Sequence, residues 1–116
     1  MLNCVNLIGR LVNDPVIVMI DETTKVCNIT LAVTRPFKNS NGEYSTDFIP
    51  ISFWYGAANL AEDYCFKGDL IFVKGRIYNK TQEIEGKKYS FLEMVGERII
   101  FLNSKERNES VEELKE

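Results

Sequence analysis

Apolar side chains recur at every second position through Cys27, Ile29, Leu31 and Val33, with Asn28, Thr30, Ala32 and Thr34 between them. A period of two is the signature of an extended strand with one face buried, because successive side chains point to opposite sides of the backbone. A helix would need a period near 3.6, so this segment commits the chain to sheet structure. Val5, Leu7 and Leu11 alternate in the same way, and a β-branched run from Val16 to Ile20 continues that first strand after the Asp14-Pro15 break. Further strands are predicted over about Tyr44 to Tyr55, Asp69 to Tyr78 and Tyr89 to Leu102. Arg35 to Glu43, with Pro36 and Asn41-Gly42, and Asn79 to Lys88, with Gly86, read as hairpin connections.

One segment departs from that rhythm. Ala57, Leu60, Ala61 and Tyr64 fall at helical spacing, and Gly68 stops the run. The order is therefore three strands, a short helix and two strands. That order predicts a mainly all-β OB-fold, a five-stranded Greek-key barrel with a short helix between strands 3 and 4. With 116 residues, one compact domain is expected, spanning 1–102. Residues 103–116 hold one leucine and one valine among charges and read as a charged C-terminal tail.

Composition removes several classes of function. No histidine is present, which excludes Ser-His and Cys-His nucleophile pairs and mixed Cys/His zinc sites. Cys4, Cys27 and Cys65 are odd in number and widely spaced, so neither a disulfide framework nor a zinc site is expected. Cys4 and Cys27 read as small core residues in a reducing cytoplasm. Asp14, Asp47 and Asp69 show no pairing that would hold a catalytic metal, and an enzyme is the least expected class. No run of eighteen apolar residues and no leader pattern is found, so a cytoplasmic protein without a membrane partner is expected.

The third strand carries the functional signal. Ile49, Ile51 and Phe53 form one face, fit for a core; the other holds Phe48, Pro50, Ser52 and Trp54, where a solvated strand should be polar. Phe48 and Trp54 are six residues apart, roughly 20 Å at about 3.3 Å per residue. The fourth strand repeats the theme, with Ile71, Val73 and Ile77 on one side and Phe72, Lys74, Arg76 and Tyr78 on the other. Rings that can stack on bases beside cations that neutralise phosphates suit single-stranded nucleic acid. Burial of the same rings against a partner subunit or the helix would produce the same alternation.

Ordered fragments along the chain resemble the bacterial single-stranded DNA-binding proteins over about Asn3 to Leu102. They are Asn6-Leu7-Ile8-Gly9-Arg10-Leu11, Asp14-Pro15, Leu31-Ala32-Val33, Phe37-Lys38-Asn39, Gly42-Glu43-Tyr44, Asp47-Phe48-Ile49, Tyr64, Lys67-Gly68-Asp69-Leu70 and Val73-Lys74-Gly75-Arg76-Ile77. The resemblance implies an OB-fold homotetramer that wraps single-stranded DNA without sequence preference in replication, recombination and repair, with no cofactor and no metal. It places stacking rings on Phe37, Phe48 and Trp54, and basic contacts on Arg10, Lys38, Lys67, Lys74, Arg76 and Lys80. An accessory subunit of a replication or primosome complex, acting mainly through protein contacts, is the alternative expectation, and an RNA-binding barrel is a third.

The chain also departs from the pattern. Where the family usually offers another ring after the fourth strand, this chain reads Lys80-Thr81-Gln82-Glu83, which predicts one platform fewer, with Tyr78 as a substitute. Asn59 and Phe66 stand where the family commonly has Glu and a basic residue. The last residues are Glu112-Glu113-Leu114-Lys115-Glu116, without the Gly/Pro/Gln-rich linker and terminal Pro-Phe of typical members. A short form lacking that recruitment tip is therefore expected. Net charge is −3, but the tail holds three basic and five acidic residues, leaving the rest close to neutral. An acidic total thus does not argue against a basic face.

Overall fold

The computed structural model describes residues 1–102. Strands β1 (Val5–Leu11), β2 (Val16–Met19), β3 (Lys25–Lys38) and β4 (Tyr44–Trp54) precede helix α1 (Gly56–Tyr64), and β5 (Leu70–Ile84) and β6 (Lys87–Phe101) follow it. The strand order is β1-β5-β6-β4-β3-β2, and a second pairing of β1 with β3 closes the sheet into a barrel. That closure rests on Arg10↔Ala32 and Leu11↔Leu31. Neighbours pair antiparallel except β4 and β6, which run parallel at Ile51↔Met94, Ser52↔Val95 and Phe53↔Gly96. The expected first strand is two strands, β1 and β2, with β2 hydrogen-bonded only onto β3 among the described residues. Counted with β2 as a continuation of β1, this is the predicted five-stranded OB-fold with its helix after the third strand.

The alternation read from sequence is the inside of the barrel. Cys27, Ile29, Leu31, Ile51, Phe53, Ile71 and Val73 converge in one core, and α1 adds Ala58 and Ala61 from one end. Burying a large apolar side chain contributes roughly 1.5–3 kcal/mol, so these residues are the main source of stability. On β6 the inward set is Met94 and Gly96, then Ile99, because a register shift opposite Lys74 and Gly75 leaves Glu97 unpaired. This bulge re-aims the strand by one residue.

Three expectations are corrected. Arg35 to Lys38 and Asn79 to Ile84 are strand rather than connection, so Phe37 lies within β3 and Lys80 within β5. Pro36 is accommodated where the β3–β4 register shifts between Thr34 and Lys38, so its missing N–H breaks no regular ladder. The β5–β6 turn is only Glu85-Gly86, both at positive φ, which suits the tight hairpin geometry of a type I′ turn. Cys4 is exposed, ahead of the first strand, whereas Cys27 and Cys65 are buried. The charged tail at 103–116 lies outside the described residues.

Candidate functional site

The outward face of β4 is built as its alternation predicts. Ile51 and Phe53 are fully buried, while Phe48 is 64% exposed and Trp54 half-buried. Cross-strand registers carry the face sideways in rows. Trp54 pairs with Val26, which pairs with Val18. The indole thus shares its row with a buried Val26 and, one strand further, an exposed Val18. Ser52 pairs with Asn28 on one side and Val95 on the other, and Val95 pairs with Arg76. Phe48 pairs with Ala32, and Ala32 with Arg10. Strands are about 4.8 Å apart, so the Arg10 and Arg76 backbones each lie about 10 Å from β4.

The other predicted cations are more scattered. Lys80 pairs with Phe91 and lies 3.8 Å from the Glu93 carboxylate. Arg10 donates from its guanidinium to the Gly68 carbonyl at 3.2 Å, which brings it next to Lys67 in the turn after α1. Lys67 is itself anchored, its main-chain N–H donating to Asp14 Oδ1 at 2.8 Å. Lys74 belongs to a different row, between Asn6 and Arg98, and is not brought to the Phe48–Trp54 strand. Phe37 and Lys38 stand at the far end of β3. Phe37 is 63% exposed, and the Lys38 ammonium lies 5.8 Å from the Tyr44 ring centroid, within cation–π range.

Neighbouring polar contacts hold this end of the β3–β4 hairpin in shape. Arg35 donates through Nε and a terminal nitrogen to the two Asp47 oxygens, both at 3.0 Å. The guanidinium holds the Asp47 carboxyl below its ordinary value and is itself pushed up by the carboxylate. Asn39 Oδ1 accepts from the Asn41 and Glu43 N–H groups at 2.9 and 3.0 Å, fixing the turn beyond Phe37. Tyr78 donates its hydroxyl to Glu93, a contact that pushes the phenol pKa up. With its hydroxyl so tied and its ring half-buried, Tyr78 is a poor substitute platform.

Two exposed rings outside the sequence-predicted set lie on β6. Tyr89 and Phe91 are 43% and 44% exposed, with centroids 6.5 Å apart and planes inclined by 22°, a stacked pair. Their partners across the hairpin are Gln82 and Lys80. They share a face with Glu93 and Val95, and so with Ser52. The sequence signal for them is the period of two through Tyr89, Phe91, Glu93 and Val95.

Among the described residues no group of three or more Cys, Asp or Glu is placed to hold a metal ion. No described helix is long and apolar enough to cross a membrane. What the face offers is flat rings, exposed at Phe48 and half-buried at Trp54, separated by small or polar side chains, with guanidinium and ammonium groups one or two strands away.

Residues 2–102 match the model described as "Single-strand binding protein family". The chain is 40% identical over 106 residues to "Single-stranded DNA-binding protein 1" of Clostridium acetobutylicum, covering 90% of this chain and 96% of that one. It is 34% identical over 113 residues to "Single-stranded DNA-binding protein B" of Bacillus subtilis, covering 97% and 100%. The fold is similar to the crystal structure of a deletion mutant of the single-stranded DNA binding protein from Thermus aquaticus, with a TM-score of 0.74 and 27% identity. That match covers 90% of this chain and about half, 52%, of the Thermus chain.

Proposed function

The chain belongs to the single-strand binding protein family, and we propose that it coats single-stranded DNA without sequence preference in replication, recombination and repair. The observation that carries the proposal is the outward face of β4. Phe48 and Trp54 are not closed into the core, and Arg10 and Arg76 flank them at two strands' distance. Bases of an unpaired strand stack on Phe37, Phe48 and Trp54, with Tyr89 and Phe91 extending the path along the β5–β6 hairpin. Each stacked base contributes about 1–3 kcal/mol irrespective of its identity. A duplex has already stacked its bases internally, so coating melts hairpins without any catalytic step.

The active form is a homotetramer. Ile8, Phe72 and Ile100 form a cross-strand apolar row on the outside of β1, β5 and β6, and Ile8 and Ile100 are exposed in the single chain. Such a row is ordinarily covered. Gel mobility of a labelled dT oligonucleotide at low salt, with mass by light scattering, tests both parts. The Phe48→Ala, Trp54→Ala pair should lose the shift while keeping the oligomer mass; retention of full affinity by the pair would place the platform elsewhere.

A further inference from the structure

Tyr55 adopts a backbone conformation that belongs to glycine, with φ 57° and ψ −126°. This is the first-position geometry of a type II′ turn, where any Cβ is crowded. Local capping does not explain a tyrosine there. The Tyr55 carbonyl accepts from the Ala58 and Asn59 N–H groups at 3.1 and 3.3 Å, contacts that glycine would make as well, and its side chain makes no cap hydrogen bond. Nor does packing explain it, since the residue is 69% exposed. A strained residue at a strand-to-helix turn, with its side chain held outward, is a position where strain serves a function.

The geometry shows what the strain achieves. In a regular strand, consecutive side chains point to opposite faces, so the residue after Trp54 would turn away from it. Here the positive φ ends β4, and the Tyr55 ring lies 6.3 Å, centroid to centroid, from the indole at an interplanar angle of 46°. The rings form an open angle rather than a closed stack, so both keep a face for a guest. We infer that Tyr55 is a direct base-contacting residue, one wall of a two-ring cleft with Trp54 that holds a nucleobase of single-stranded DNA. This assignment rests on the DNA-coating reading and extends it to a residue outside the strand alternation.

The test is a trade-off that a purely structural tyrosine would not show. Tyr55→Gly suits the backbone, so its melting temperature should hold or rise, while affinity for a fluorescently labelled dT oligonucleotide, read by anisotropy, falls about tenfold. Tyr55→Phe keeps the ring and should bind as the wild type does. Unchanged affinity in Tyr55→Gly, with the wild type binding normally, would overturn the assignment alone. A lower melting temperature in Tyr55→Gly would also overturn it, because the ring would then be structural. Failure of the wild type to bind would overturn the DNA-coating reading and Tyr55's part in it together.

Discussion

Adding one methyl group at Gly96 should damage the barrel where β4 is joined to β6. Gly96 pairs with Phe53 on β4 and with Gly75 on β5, beside the bulge at Glu97. A Cβ at Gly96 would stand 2.6 Å from both Cδ1 and Cζ of Phe53, and nearer still to Cε1. Carbon atoms pack at about 3.5–4.0 Å, so the ring must retreat by well over ~1 Å to clear Cε1. It has nowhere to go, because Phe53 is 0% exposed and enclosed by core residues. Overpacking of this kind costs about 1–3 kcal/mol, and the rigid ring puts Gly96→Ala at the upper end. Alanine returns about 0.4–1 kcal/mol by restricting the unfolded chain. The clash wins, leaving a net loss of about 2 kcal/mol, or a fall of roughly 8–16 °C in melting temperature. Calorimetry at equal protein concentration measures it. The Phe53→Leu background, which gives the methyl room, should reduce the cost of Gly96→Ala by at least about 1 kcal/mol in a double-mutant cycle. A Gly96→Ala protein that melts within about 2 °C of wild type, or a cycle without coupling, would show that no such clash exists at Phe53.

Other consequences are open to direct measurement. Asp47 has its folded pKa held down by Arg35, so the pair's contribution is fully present above the unfolded carboxyl value and is lost as pH falls through the lower folded value. Urea unfolding at steps between about pH 6 and 2 should show a shallower acid loss for Asp47→Asn than for wild type. Burial pushes the Cys27 thiol up to about 11, whereas Cys4 is exposed. A thiol reagent at about pH 8 should therefore label Cys4 within minutes, and Cys27 only on unfolding. Arg76→Ala should reduce the slope of log affinity against log salt by about 0.7, the value for one phosphate contact on a single strand. Lys74→Ala, one row away from the aromatic strand, should change it less.

What the sequence discloses here depends on whether regular alternation carries the information. Cys27 to Val33 and Ile49 to Phe53 were legible because a buried barrel face demands a strict period of two: Cys27, Ile29, Leu31, Ile51 and Phe53 are in the core, and Val33 and Ile49 are partly buried against it. The same logic put Phe48 and Trp54 outside. It failed where the ladder is irregular. The β3–β4 register shift lets a strand run through Pro36, which reads as a loop in sequence, and the bulge at Glu97 shifts the phase of β6. Arg10 joining the Phe48 row is a matter of barrel closure, a contact between distant segments that no local pattern encodes. Tyr55 was invisible for another reason: its placement depends on a dihedral angle that its neighbours in sequence do not announce.

If the proposed function is right, Trp54 meets DNA bases on the outward face of β4. Trp54 is the only tryptophan, so its emission reports on that site alone. Titrating the full chain with poly-dT should quench the fluorescence strongly, to a stoichiometric end point at low salt, with reversal as salt is raised. Unchanged emission across the titration, together with no mobility shift of the same strand, would mean that this face does not bind single-stranded DNA.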